Sequence, residues 1–192
     1  MNTGAGNKQM SKQFERDNDL IADLGMNNGD DTEYYLKKGY RVLAIEANPA
    51  LCRQAAERLD AAISAGQLTI LNAAIWKECG TTQFFLNLDN DHWSSLDRDW
   101  AEREGSRCME IPVDCVSLDF LFRTYGVPRY MKVDVEGVDQ LVIDQLKEQS
   151  RLPYYLSIED CRFGYEYMAT LAGMGYSGFK LLDQSTVPEM LD

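Results

Sequence analysis

Asp19-Leu20-Ile21-Ala22-Asp23-Leu24-Gly25-Met26-Asn27-Asn28-Gly29-Asp30, with Val42-Leu43-Ala44-Ile45-Glu46 behind it, decides how this chain is read. Leu20 to Leu24 is a short apolar run broken by one carboxylate. Gly25 to Asp30 is a turn rich in glycine and amide side chains. A helix-like segment ends at Lys37-Lys38-Gly39, and the second apolar run closes on Glu46. Strand, tight turn, helix, strand and acid make half of a nucleotide-binding βαβ unit. Gly25 and Gly29 lack a Cβ, so the turn is free to take positive φ and to bring a ligand close to bare backbone. The N–H groups opening the helix would then face a carboxylate or phosphate. Asp30 with Glu33 has the spacing of a capping box, and Gly39 behind two lysines is a helix stop. Glu46, twenty-one residues after Gly25, falls where an acid accepts both hydroxyls of a ribose. A lone G-x-x-x-G often only joins a strand to a helix. Here the flanking strands, the marked helix and the spaced acid favour a nucleoside site.

The chain around this stretch has 192 residues, enough for one full core and short for two. Residues 1–18 read as a polar arm or short edge helix without the apolar segment of a signal peptide, and 19–192 as one domain. No apolar run approaches the roughly 20 residues needed to span a bilayer. The five cysteines, Cys52, Cys79, Cys108, Cys115 and Cys161, are scattered, which suits reduced thiols in a cytoplasm. A formal net charge of −12 argues against a nucleic-acid partner, whose phosphates need clustered Lys and Arg.

Farther along, Asn48-Pro49 starts a helix with Leu51, Ala55, Leu59 and Ala62 or Ile63 on one face, ending near Gly66. Leu68 to Leu71 is a third strand closed by Asn72-Ala73-Ala74. Those alanines either leave room for a flat base or simply pack tightly. Thr81 to Leu86 is strand-like, and Ser94 or Ser95 is placed to cap a short helix running to Gly105. His92, the only histidine, stands in the polar loop before it, as a solvated surface group or a base. Ile111-Pro112-Val113 reads as an edge strand. Ser117 caps a helix stopped by Gly126. Tyr130 to Asp134 is the next strand; Asp134 and Glu136 at its carboxyl end, before Gly137, exceed what capping needs. Tyr154 to Ile158 is followed by Glu159-Asp160, a helix, and a last strand-like run from Phe179 to Leu182. Strands alternating with helices predict a doubly wound, mostly parallel sheet with helices on both faces. Its acid-tipped strand ends would line one rim, where ligands bind.

At these residues the sequence resembles the class I S-adenosylmethionine-dependent methyltransferases and, within them, the FkbM family. The matching pieces are Asp23-Leu24-Gly25-Met26-Asn27-Asn28-Gly29 with Thr32, Glu46-Ala47-Asn48-Pro49, Asn72-Ala73-Ala74, Ser94-Ser95-Leu96, Leu118-Asp119-Phe120-Leu121 and Lys132-Val133-Asp134-Val135-Glu136-Gly137. The resemblance implies a Rossmann-like fold and S-adenosyl-L-methionine as cofactor. It puts the methionine part on the Gly25–Gly29 turn, the ribose on Glu46, and the adenine beside Asn72, Ala73 and Ala74, and it counts Asp23, Thr32, Ala47 and Asn48 among the cofactor-binding residues. Asp134 would stand near the cofactor's amino group and the transferred methyl. The implied acceptors are hydroxyls of sugars and other natural products. Two features depart from the family. Met26 fills a position usually held by a small residue, and one strand-like run stands where a final hairpin is normal. A shortened sheet would leave an edge for a partner subunit, as in a homo-oligomer.

Methyl transfer to a hydroxyl is helped by a base within hydrogen-bond reach. Asp134, Glu136 and Glu159 are the candidates, with His92 behind them. Asp134 is equally suited to cofactor binding alone, and Glu136 or Glu159-Asp160 to capping helices. Asp134, Glu159 and Asp160 also have the chemistry of a divalent-cation site, though nothing in the sequence demands one. The same Gly-rich turn would serve a nicotinamide-dependent oxidoreductase, but the third glycine of its fingerprint is absent. A non-catalytic binding or assembly module on this fold is the other alternative.

Overall fold

The computed structural model describes residues 16–159 and 163–182. The chain divides into two compact units, Met1–Glu159 and Asp160–Asp192, where the sequence reads as one domain from residue 19. Cys161, Asp160 and most of the expected N-terminal arm lie outside the described residues.

Five strands of the first unit form a wholly parallel sheet in the order β3-β2-β1-β7-β8. They are β1 (Arg16–Leu24), β2 (Arg41–Glu46), β3 (Leu68–Asn72), β7 (Val127–Val133) and β8 (Tyr155–Ile158). Leu20 to Leu24 and Val42 to Glu46 are buried without a break, as expected of strands covered on both faces. The strand order reverses between β1 and β7, so a crevice opens above their carboxyl ends.

Helices α1 (Asp30–Lys37), α2 (Pro49–Arg58) and α3 (Asp60–Ser64) connect β1 to β2 to β3. Right-handed crossovers place them on one face, with α5 (Leu118–Tyr125) and α6 (Asp139–Lys147) on the other. Met26, Val42, Ala44, Ala55, Leu59 and Leu68 form the core under the first group. Met26 is therefore directed into packing, which removes the conflict raised by its size. The predicted helix after Asn48 breaks at Leu59 into α2 and α3. The stop of α1 is as read: Gly39 takes φ 88°, and Gly39 and Tyr40 donate to the carbonyls of Leu36 and Tyr35. Its start is not. Gly29 is the N-cap, Asp30 is already helical, and Glu33 pairs with Lys37 and Arg58, so no capping box forms.

Residues between β3 and α5 build a second sheet, β4-β6-β5, from β4 (Ala74–Ile75), β5 (Gly80–Asn87) and β6 (Cys108–Val116). Pro112 lies in its middle strand. However, β4 reaches only Cys115 and Val116, so Pro112 meets no strand on that side among the described residues. The expected serine cap is also replaced. Asp97 caps α4 (Arg98–Ala101), while Asn90 caps a 3-10 turn at Asp91–Trp93. In the second unit α7 (Gly164–Gly173) forms as read, but Phe179 to Leu182 is not a strand.

Candidate active site

The turn after β1 is built on backbone. Gly25 and Met26 both donate to the Ile45 carbonyl at 3.0 Å, and Gly25, Asn27 and Gly29 take φ of 85°, 51° and 85°. Glu46 locks the turn to the end of β2. Its Oε2 accepts from the Asn27 N–H at 2.8 Å and its Oε1 from the Asn48 N–H at 2.7 Å. Burial pushes the Glu46 carboxyl upward, and the N–H groups of Asn48, Asn27 and Ala47 pull it back. Asn72 donates its amide to the carbonyls of Glu46 and Ala47, which ties β3 to the same corner.

One cleft opens over this corner. Gly25, Asn27, Glu46, Ala47, Ala73, Ala74, Asp134 and Glu136 all line it, with Ile45, Ile75, Phe84, Val135 and Val138 between them. Asp91, His92, Ser94 and Leu96 complete its wall from the segment between β5 and β6. Of the cofactor-binding residues inferred from sequence, Met26, Asn28, Gly29, Thr32, Asn48 and Asn72 do not line the cleft; neither does Asp23. Asn28 instead exchanges hydrogen bonds with Asp30, and Arg58 donates to its carbonyl. Thr32, buried in α1, donates its hydroxyl to Asp23 Oδ2 at 2.7 Å.

Glu136 does not cap α6. It sits at φ 48°, and its Oε2 accepts from the Trp100 indole at 2.9 Å and from Arg103 at 3.0 Å. Arg103 is stacked against both Trp93 and Trp100, and the Ser95 hydroxyl donates to the Glu136 carbonyl at 2.6 Å. Glu136 thus anchors the whole segment that carries His92. Burial raises its carboxyl, against the pull of Trp100 and Arg103. The loop is capped instead by Asp139, a buried residue unmarked in the sequence reading, which accepts from the N–H groups of Val135 and Gly137.

Lys132 is the other residue whose part was not legible. Its Nζ lies 3.0 Å from Asp31, 3.2 Å from Asp134 and 3.7 Å from Asp23. Burial alone would lower the Lys132 ammonium, but Asp23, Asp134 and Asp31 hold it above the ordinary lysine range. Burial pushes the Asp23 carboxyl up to about 6, opposed by Lys132 and the Thr32 hydroxyl. Glu159 does not line the cleft. One carboxylate oxygen each from Asp134, Glu136 and Glu159 lies within 4.8 Å of the others. Such a group has the chemistry to attract a hard cation, but exposed acids gather without one and no ion is assigned to it.

A family model described as the methyltransferase FkbM domain matches residues 23–177. The chain belongs to the FkbM methyltransferase family. A solved FkbM methyltransferase from Methylobacillus flagellatus KT is similar at 15% identity and a TM-score of 0.45. That likeness covers 74% of this chain and 32% of the other, so the chain spans about a third of that protein. An rRNA methylase from Streptococcus thermophilus is similar at 12% identity and a TM-score of 0.43, over 92% of this chain and 84% of that one. No curated protein matches the chain. Membership of the FkbM methyltransferase family implies a cofactor, S-adenosylmethionine, and the cleft residues suit it. A carboxylate accepts about four hydrogen bonds; Glu46 accepts from the Asn27 and Asn48 N–H groups, with the Ala47 N–H also turned toward it, and keeps capacity for a further donor. Ala47, Ala73 and Ala74 leave the neighbouring wall shallow. The cysteines among the described residues are free thiols. No helix among those residues is long and apolar enough to cross a membrane.

Proposed function

We propose that this FkbM methyltransferase binds S-adenosyl-L-methionine in the cleft above β1, β2 and β7 and methylates a hydroxyl of a sugar or other small natural product. One observation carries the reading: the glycine-rich bend and Glu46 are joined by a 2.8 Å hydrogen bond and open onto the same cleft. The spare accepting capacity of Glu46 serves the ribose hydroxyls. Ala73 and Ala74 border the base, and Asp134 faces the positively charged end. When bound, the cofactor supplies an electrophilic methyl group.

The chain's own residues hold the acceptor and take its proton. Displacement at a methyl carbon asks mainly for alignment of the incoming oxygen. Asp134 and His92 both line the cleft and are the groups suited to receive the hydroxyl proton. Glu136 gives one oxygen to Trp100 and Arg103, which suits an anchor better than a base. A small acceptor agrees with the net charge of −12, which disfavours a phosphate backbone.

Titration with S-adenosylhomocysteine tests the site. Glu46→Ala should weaken binding by about 1–3 kcal/mol, the cost of unmade charged hydrogen bonds. Unchanged affinity would mean that the ribose lies elsewhere. Methyl transfer to a panel of hydroxylated sugars and polyketides tests the acceptor class, and salt-sensitive methylation of RNA with none of those substrates would overturn it.

A further inference from the structure

Lys132 stands opposite Asp23 in the parallel register of β1 and β7, so the two side chains leave the sheet on the same face. Asp31 comes from the first turn of α1, and Asp134 follows β7 directly. The Lys132 ammonium lies among all three carboxylates and also reaches the Gly25 carbonyl at 3.4 Å. One lysine therefore ties the start of α1 to the turn after β1 and the end of β7, the last two of which line the cleft.

The charges do not balance. Three carboxylates surround one ammonium, and the Lys132 side chain is 16% exposed, against 30% for Asp134. Lys132 thus holds Asp134 from the buried side, while Asp134 also lines the cleft. Asp23 Oδ1 is buried with no hydrogen-bond partner among the described residues, only Lys132 at 3.7 Å. Burying an ammonium is costly, and a protein that needed only packing at this point would be better served by an apolar side chain. Of the three carboxylates only Asp134 opens onto the cleft, and because Lys132 is shared with Asp23 and Asp31 its charge is not fully spent there, which leaves Asp134 a fit for a ligand ammonium.

We propose that Lys132 is a positioning residue for the amino-acid end of the cofactor, fixing Asp134 and the Gly25 carbonyl at the spacing that receives the ligand's ammonium. The proposal rests on the cofactor reading above. It also separates the two ends of the ligand: Glu46 serves the nucleoside, whereas Lys132 acts on the amino-acid tail through Asp134.

Two probes divide those ends. S-adenosylhomocysteine carries the amino-acid tail, and 5′-methylthioadenosine has the same nucleoside and thioether without it. Calorimetric titration of the full chain should show that Lys132→Met lowers affinity for S-adenosylhomocysteine by about tenfold or more, with 5′-methylthioadenosine held within about twofold. Lys132→Arg should restore part of the loss. Glu46→Ala should weaken both probes alike. Should Lys132→Met fail to fold by circular dichroism, Asp31→Asn decides, because Asp31 is half exposed and its loss loosens only one grip on the ammonium. It should cost about two- to fivefold, again for S-adenosylhomocysteine alone. Equal loss of both probes would reduce Lys132 to a structural residue, and no loss of either would remove it from the site. A wild-type chain that binds neither probe would end the cofactor reading itself, and this proposal with it.

Discussion

Gly25→Ala is the sharpest test of how the crevice is built. Gly25 sits at φ 85°, and a Cβ placed on it would lie 1.7 Å from the Asp134 carbonyl oxygen and 2.8 Å from its carbon. Both atoms are backbone, so no side chain can swing aside. The ends of β1 and β7 would have to part, which strains the 3.0 Å bond from the Asp134 N–H to the Leu24 carbonyl. Left-handed strain, an overpacked contact and a weakened hydrogen bond together amount to about 3–5 kcal/mol. That is a large share of the roughly 5–15 kcal/mol that holds a domain folded. Gly39→Ala is the control, because Gly39 has φ 88° with nothing within 4 Å of the added carbon. It should cost about 1 kcal/mol, the strain alone. Urea unfolding of both variants, with S-adenosylhomocysteine titration of each, gives the comparison. If Gly25→Ala loses no more than Gly39→Ala and still binds, β1 and β7 are not locked at this point.

Other outcomes follow from the same geometry. Glu136→Ala removes the carboxylate that accepts from the Trp100 indole and from Arg103 Nη2 and should cost about 2–3 kcal/mol, whereas Glu136→Gln keeps an acceptor there and should cost about 1 kcal/mol. Loosening of the segment should appear as altered fluorescence of Trp93 and Trp100; an unchanged spectrum and melting curve for Glu136→Ala would contradict the anchoring role. Stability should also depend on pH through Asp23, which burial raises from 3.8 to about 6. A carboxyl with a higher pKa in the folded state holds its proton more tightly there. Stability is then greatest below the unfolded value, falls as the pH rises through about 6, and stays lower above it. Burial shifts Glu46, Glu136 and Asp139 the same way, while surface-held Asp30 and Asp144 are lowered by Arg58 and Lys147 and oppose the trend weakly. The melting temperature should therefore be higher at pH 5 than at pH 7.5, and Asp23→Asn should flatten that slope. A full wild-type slope in Asp23→Asn would show that other groups set it.

Much of this fold is written in local pattern. The apolar runs at Leu20–Leu24, broken only by Asp23, and Val42–Ile45 specify strands buried on both sides, Asn48-Pro49 and Ser117 start helices, and Gly39 and Gly126 stop them. Each depends on neighbours within a few residues, so periodicity and capping are enough to read it. The acid at the end of β2 is legible for the same reason, since a βαβ unit has a nearly fixed length.

Tertiary structure alone decided the rest, because those features pair residues far apart in the chain. Gly25 reads as a place for a ligand to approach backbone, yet what approaches is the Asp134 carbonyl, brought there by the β1–β7 register. Glu136 looks like a spare acid until Trp100 and Arg103 are folded onto it from the segment between β5 and β6. Lys132 passes for an ordinary strand lysine, and only the pairing with Asp23 and the return of α1 surround it with carboxylates. Sequence spacing carries the turn and helix geometry within one βαβ unit. It carries no distance between strands separated by a hundred residues, and at this crevice that distance sets both the shape and the charge.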